Sequence, residues 1–312
     1  MEEAIIEPIS KEILLSELTR ERFVRVANNG MNEIYIITHH DSPNVMQEIG
    51  RLREVTFRAS GGGTGHSIDI DEFDTADAPY KQLVVWSPED QEIVGGYRYI
   101  KCKDAPIGAD GMVQLATTEL FKFSDQFIKD YLPYTIELGR SFVQPKFQPS
   151  LENRKGLFSL DNLWDGLGAL IVDNPDIKYF FGKVTMYTHF NVEARDRILS
   201  FMNYYFPDPD NLVRPIVPLP IKTDVSEFLE SIKGLSYKDG HKILGKNVRD
   251  RGENIPPLVN SYMNISPTMK SFGTSSNAHF GDVEESGIMV TIADIYPTKA
   301  ERHVGTYKEA NS

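Results

Sequence analysis

The sequence predicts an α/β fold built on a mixed sheet, and three observations carry that prediction. Segments with helical spacing of apolar residues alternate irregularly with segments of period two, which argues for layered helices and strands and against a strict parallel repeat. Two strand-like runs, "KQLVVWS" (81–87) and "EIVGGYRYIKC" (92–102), are separated only by the polar "PEDQ", which reads as a hairpin. The 312 residues are 40% hydrophobic and 25% charged, a globular balance with room for one large domain or a domain and an extension.

Each element has its own local reason. "PISKEILLSELTRERF" sets Ile13, Leu14, Leu18 and Phe23 at helical spacing, and "NEIYIITHH" alternates like a strand. "DSPNVMQEIGRLREVTFR" opens with Asp41 and Ser42 as N-cap candidates and Pro43 in the first turn. Val45, Met46, Ile49, Leu52 and Thr56 then follow the helical period, with Arg53 and Phe57 one turn apart. "ASGGGTGH" breaks that helix. It follows a helix and lacks the Gly-Lys-Ser/Thr of a phosphate loop, so it reads as a flexible loop or a lid. After the hairpin, "TTELFKFSDQFIKDY" (117–131) reads as a helix and "YTIELGRSFVQP" as a strand stopped by Pro145. "SLDNLWDGLGALIVDNP" reads as a helix capped by Ser159 or Asp161, "IKYFFGKVTMYT" as a buried strand, and "VEARDRILSFMNYY" as the next helix. Beyond the proline-rich "FPDPDNLVRPIVPLP" come a short helix, "DVSEFLESIKGLS", and a late strand, "GIMVTIADI". The expected division is 1–40 for an N-terminal helix and strand, 41–206 for the core, and 207–312 for a C-terminal extension packed on it.

Composition removes several function classes. A net charge of −12 argues against a nucleic-acid partner. The single Cys102 excludes an internal disulfide and a cysteine-based zinc site. The acidic start "MEEAIIEPIS" lacks the apolar stretch of a secretory leader, and no run of about 18 apolar residues exists. A cytoplasmic protein is expected, with peripheral contact at a membrane left open. No Gly-x-Ser-x-Gly elbow is present and nothing near Cys102 in sequence would activate it, so a covalent enzyme intermediate is not expected.

One stretch, "DIDEFDTAD" from Asp69 to Asp77, has five acidic residues in nine. It is no EF-hand loop: the sixth position is Asp74 and not glycine, and the twelfth is Tyr80 and not glutamate. A solvated turn and a set of anchors for a cationic substrate both remain open. Four pieces in chain order bear on that choice: Arg53-x-x-x-Phe57, Glu72-Phe73-Asp74-x-x-Asp77, Gly95-Gly96-x-Arg98 and Glu137-Leu138-Gly139-Arg140. Residues three apart on a regular strand face opposite ways, so Gly139 between Glu137 and Arg140 suggests a β-bulge that turns both toward one cleft.

Together these pieces resemble the acyl-homoserine-lactone synthases and their relatives, the amino-acid N-acyltransferases of ornithine and glycine lipid synthesis. "ELGRSFVQP" followed by "LWDGLGALI" is closer to the second branch. The resemblance implies a GNAT-like acyl-CoA N-acyltransferase fold: a mixed, mostly antiparallel sheet, helices on both faces and a bulged central strand. It implies transfer of a fatty, perhaps 3-hydroxy, acyl chain from acyl carrier protein to the amine of a small amino acid, glycine first and ornithine second. Glu72, Asp74 and Asp77 would orient the amine and pair with Arg53 and Arg98 beside Phe57. Glu137, flanked by Arg140, would be the base, with Asp74 or Glu72 as runner-up. Backbone N–H groups near Phe142 and Val143 would receive the pantetheine arm and the thioester oxygen. The coenzyme-A loop of the wider fold is represented by Arg154, Lys155 and Gly156 without a second glycine, a departure compatible with a carrier-protein donor. Carrier proteins are acidic, and Lys242, Lys246 and Arg249, with Arg154 and Lys155, form the expected docking patch. No metal and no bound cofactor are expected; the acyl carrier thioester is a co-substrate. The competing readings are a homoserine-lactone synthase using S-adenosylmethionine and a non-catalytic acyl-binding protein.

Overall fold

The computed structural model describes residues 2–149 and 155–311. In chain order the elements that matter here are α1 (Lys11–Glu17), β1 (Phe23–Val26), β2 (Glu33–Ile37), α2 (Pro43–Ala59), the single turn α3 (Glu72–Thr75), β3 (Lys81–Ser87), β4 (Glu92–Lys101), β5 (Phe121–Phe123), β6 (Thr135–Val143), α4 (Ser159–Asp173), β7 (Tyr179–Met186), α5 (Val192–Tyr205), β8 (Val213–Pro215), α6 (Ser226–Ile232), α7 (Tyr237–Arg249), α8 (Pro257–Met263), β9 (Lys270–Asn277) and β10 (Val283–Thr291). They form two compact units. The first comprises Met1–Ala116, Pro133–Lys178 and Tyr296–Ser312, and the second Thr117–Leu132 and Tyr179–Ile295. These limits differ from the three-part division read along the chain, because both units are discontinuous in sequence.

In the first unit β1, β2, β3, β4 and β6 pair in that order, each pair antiparallel. Alternation sorts their side chains. Gln82 pairs with Arg98, and Arg98 with Gly139, so these three form one row on one face. Arg53 of α2 reaches Gln82 on that face. Leu83 points the other way, and α4 meets it so closely that a methyl on Gly166 would lie 2.6 Å from the Leu83 side chain. The apolar stripes of α2 and α4 therefore cover opposite faces, and Leu52, Ile34, Leu83 and Leu167 are almost fully removed from water. The start of α2 has Pro43 in its first turn, as the sequence indicates. Ser42 stands at the N-cap position, but its side chain makes no capping hydrogen bond. The Glu17 carboxylate, arriving from α1, accepts the N–H groups of Asn44 and Val45 at 3.0 and 2.8 Å. A negative group suits a helix start whichever segment delivers it.

The bulge expected at Gly139 is present on β6. Gly96 pairs with Phe142 and Arg98 with Gly139, which leaves one extra residue on β6. The surplus is absorbed at Arg140, whose φ of 47° lies in the left-handed region. The paired glycines of β4 answer the same crowding. A Cβ on Gly95 would lie 2.3 Å from the Phe142 carbonyl oxygen, and one on Gly96 2.6 Å from that of Leu83.

The second unit holds the antiparallel ladder β7–β10–β9 and a two-stranded ribbon of β5 and β8, with α5 to α8. Of the helix expected over 117–131 only the end forms, a short helical stretch that closes with Phe127–Tyr131. Phe121 and Phe123 are buried and Lys122 is exposed, a period of two, and the three pair with Val213–Pro215 inside the proline-rich connector. Phe123 and Phe127 then join Phe181 and Phe272 in an aromatic cluster with centroids 4.9 to 6.4 Å apart. No helix among the described residues is long and apolar enough to cross a membrane.

Candidate active site

The acidic stretch folds around its own carboxylates. Asp71 is the N-cap of α3 and accepts the N–H of Phe73 at 3.1 Å, while Asp74 accepts the N–H of Asp71 at 3.3 Å. This reciprocal cap aims Asp74 inward. Glu72 and Asp77 are carried outward and are exposed. Of the expected set Glu72, Asp74 and Asp77, only Asp74 meets Arg53 and Arg98. The structure gathers Asp69, Asp71 and Asp74, and a one-turn helix separates them from their neighbours. The Asp-x-Asp spacing at 69 and 71 is the local sequence signal for this set.

Three arginines from three elements meet these carboxylates, all within the first unit. Arg53 on α2 donates to Asp74 at 3.0 Å and to the amide oxygen of Gln82 at 2.5 Å. The Gln82 amide nitrogen in turn donates to Asp74 at 2.9 Å, closing a ring of three side chains. Arg98 on β4 donates to both oxygens of Asp71 at 2.7 Å and to Asp74 at 3.3 Å. Its stem crosses Gly139, where an added Cβ would lie 3.4 Å from Nε. Its guanidinium also sits 5.2 Å from the Tyr80 ring and 5.6 Å from that of Phe73. Arg140, turned by the bulge, has Nε within 3.0 to 3.2 Å of the two Asp69 oxygens and a terminal nitrogen 3.5 Å from Asp71. The pairing of the acidic loop with Arg53 and Arg98 thus forms, with Arg140 as a third partner.

Burial sorts this network into an inner and an outer part. The side chains of Arg53, Asp69 and Asp74 are wholly shut off from water, and Arg98 is 4% exposed. Asp71 and Arg140 keep 23% and 13%. Within the network the outer pair, Asp71 and Arg140, is the more open to solvent. Burial works against the ionised form of Asp74, but Arg53 and Arg98 outweigh it and bring that carboxyl down to about 2. At Asp69 burial wins over the three arginines and raises the carboxyl.

Glu137 lies on β6 opposite Ile100 and is 1% exposed, on the same sheet face as Arg98. Their own burial first, and then the charge of Glu137, push up the Tyr80 hydroxyl and the Cys102 thiol. A thiol so raised is a poor nucleophile, in keeping with the expectation for Cys102. The Tyr80 oxygen accepts the N–H of Ala116 at 3.0 Å. Phe57 and Phe142 are buried and Val143 is partly exposed. The glycine-rich loop is not a free lid. The buried Glu54 carboxylate accepts the N–H and hydroxyl of Thr64 and the N–H of Gly65, and Gly61, Gly63 and Gly65 supply the left-handed turns this wrapping needs.

The expected docking residues are placed differently from one another. Arg154 and the side chain of Lys155 lie outside the described residues. Lys242, Lys246 and Arg249 are exposed on α7 in the second unit. Lys242 is 3.1 Å from Asp239 and Lys246 2.7 Å from Asp250, so their charges are partly offset on the helix itself. Arg249 extends over Gly245 and lines a groove of about 410 Å³ with His241 and Asn260. No group of three or more acidic, histidine or cysteine side chains with metal-site geometry occurs among the described residues.

Comparison with known proteins places this geometry. A family model described as an acetyltransferase (GNAT) domain matches residues 52–152, a span that encloses Arg53, the acidic loop, Arg98 and the bulge. A glycine N(alpha)-acyltransferase of Phocaeicola vulgatus is 54% identical over 306 residues, covering 98% of this chain and 94% of the relative. A glycine N(alpha)-acyltransferase of Bacteroides thetaiotaomicron is 54% identical over 309 residues, covering 99% of this chain and 92% of the relative. Among solved structures, a CoA-dependent acyl-homoserine lactone synthase aligns over 89% of both chains at 11% identity with a TM-score of 0.37. With more than half its residues identical to each relative over nearly its whole length, the chain belongs to the family of these glycine N(alpha)-acyltransferases, and its fold is the GNAT-like α/β fold.

Proposed function

We propose that the chain transfers a fatty acyl group from the thioester of an acyl carrier protein to the amine of glycine, giving an N-acyl glycine. The observation that carries the reading is the 54% identity over 98% of the chain to a protein named for acyl transfer to glycine. The charge pattern of the site supports it. Asp71 and Arg140, the exposed edge of a locked network, offer one anion and one cation to a zwitterionic amino acid: the carboxylate toward Arg140, the ammonium toward Asp71.

An ammonium has no lone pair, so it must lose a proton before it attacks. In this reading Glu137 takes that proton through a water. The amine nitrogen bonds to the thioester carbonyl carbon, and the oxyanion that forms is received by backbone N–H groups of the bulged strand near Phe142 and Val143. Collapse breaks the carbon–sulfur bond, and the departing pantetheine thiolate takes up a proton. Arg53, Gln82 and Asp74 position the network and do not touch substrate. Arg249, which has no carboxylate on its own helix turn as close as those beside Lys242 and Lys246, is the centre of the carrier-docking surface.

Mass spectrometry of the products tests the reading. Purified protein receives a 3-hydroxypalmitoyl thioester on carrier protein or on coenzyme A, with pooled amino acids and S-adenosylmethionine. N-acyl glycine from the carrier, lost in Glu137→Gln, is the expected result. N-acyl ornithine or a homoserine lactone overturns the substrate, turnover of the coenzyme-A thioester alone overturns the donor, and an untouched thioester overturns catalysis.

A further inference from the structure

We propose that the second unit carries a binding site of its own for a phosphate monoester, in the groove between α7 and the start of α8. The groove holds about 410 Å³, within the range of small-molecule sites. Lys242 and Arg249 line it from α7, Ile255 from the segment before α8, and Asn260 from α8 itself. The charged side chains on this lining are both cations, and no carboxylate is among them.

The nearby acids leave that charge unbalanced. Asp239 lies 3.1 Å from Lys242 and Asp250 2.7 Å from Lys246, and neither acid lines the groove. Arg249 is exposed and has no carboxylate within ion-pair distance among the described residues. Hydrogen bonds turn the rest of the wall into a donor surface. Asn264 Nδ2 donates to the Asn260 carbonyl at 2.8 Å and to Asn260 Oδ1 at 3.1 Å, and Nε2 of His241 donates to the same Oδ1 at 2.9 Å. The amide oxygen of Asn260 is thus committed to two donors. Its N–H₂ group has no protein acceptor among the described residues. The last carbonyls of α7, which would repel an anion, are already taken. Those of Lys246, Val248 and Arg249 accept the N–H groups of Asp250, Arg251 and Gly252, and that of Asn247 accepts from the Arg251 side chain.

A guanidinium, an ammonium and an amide N–H₂ therefore share one groove with no carboxylate facing them. Three separate donor groups match the three terminal oxygens of a phosphate monoester, whereas a carboxylate offers two oxygens and a single charge. The volume left beside Ile255 accommodates the organic part of the ester. The site needs neither the acyl-transfer reading nor a docked carrier protein.

The test is titration of the full chain with inorganic phosphate, glycerol 3-phosphate and acetate at constant ionic strength, read from the side-chain N–H signals of Arg249 and Asn260 by NMR. Both phosphates are expected to move both signals, and acetate to bind about tenfold or more weakly. Arg249→Gln should weaken phosphate about tenfold or more, and Lys246→Gln, one turn away but outside the groove, should leave Kd near the native value. Both side chains are exposed, so neither variant threatens the fold. Phosphatidylcholine vesicles with and without phosphatidic acid separate a free ester from a lipid headgroup. Sedimentation with the vesicles that requires phosphatidic acid and is lost in Arg249→Gln makes the ligand a lipid; phosphate binding without it makes the ligand a free ester. Signals unmoved by phosphate, equal binding of acetate, or an equal loss in Lys246→Gln and Arg249→Gln would each overturn the proposal.

Discussion

Replacing Asp74 by asparagine removes one charge at nearly constant shape, at the most enclosed point of the network. In the native chain Asp74 accepts from Arg53 at 3.0 Å, Gln82 at 2.9 Å and Arg98 at 3.3 Å, with no exposure to water. Asparagine leaves the buried Arg53 without its hydrogen-bonded carboxylate, takes the longer of two carboxylate contacts from Arg98, and turns an N–H₂ toward donors. Breaking a buried pair from one side costs about 3–5 kcal/mol, a large share of the roughly 5–15 kcal/mol that holds a domain together. Proton linkage gives a second figure. Bringing the carboxyl from 3.8 to about 2 corresponds to about 2 kcal/mol. The linkage value is smaller because a protonated acid still fits the site, whereas an amide presents the wrong group. The sign follows from the lowered carboxyl: its contribution is present above pH 3.8 and disappears as the pH falls through about 2. Asp69, raised by burial, acts in the opposite sense and favours the folded chain at low pH. Urea unfolding, read from the fluorescence of the buried Trp86, should show Asp74→Asn less stable by about 3–5 kcal/mol at pH 7. The gap should narrow below pH 4. Glu72→Gln and Asp77→Asn, both exposed, should each stay within about 0.5 kcal/mol. A cost below about 1 kcal/mol for Asp74→Asn, or an equal cost for Asp77→Asn, would refute the assignment of the inner network.

Three further outcomes are expected. Glu137→Gln should lower the rate of thiol release about 10²–10⁴-fold while its urea midpoint moves little; retained turnover would remove Glu137 as the base. Gly96→Ala drives a methyl against the Leu83 carbonyl oxygen and should destabilise the chain by about 1–3 kcal/mol, seen as a lower Tm, and a neutral effect would mean the strands separate there at no cost. Arg249→Glu should raise KM for acyl carrier protein about tenfold or more, and Lys246→Glu less, since Asp250 already offsets Lys246; equal effects would place docking elsewhere than the groove under Arg249.

Much of this protein was legible in its residues because the signals were local. The periodicity of α2, α4 and α5 needs only neighbours three and four positions away, and all three helices form where that period predicts. The hairpin of β3 and β4 is closed by four residues, and the bulge beside Gly139 was implied by the spacing of Glu137 and Arg140. What failed in sequence depended on partners far along the chain. Phe121 and Phe123 look helical until Val213–Pro215 arrives to pair with them. At the start of α2 the Glu17 carboxylate makes the capping hydrogen bonds that the side chain of the local N-cap, Ser42, does not. The acidic stretch shows the division most plainly. Composition alone put five carboxylates into nine residues, but a single helical turn decides which of them face inward. Asp69 and Asp74 become buried partners, and Asp71 a half-buried one, because arginines from α2, β4 and β6 converge there, while Glu72 and Asp77 remain in water. Burying a charge is costly without a fixed counter-charge, and only the tertiary fold supplies one.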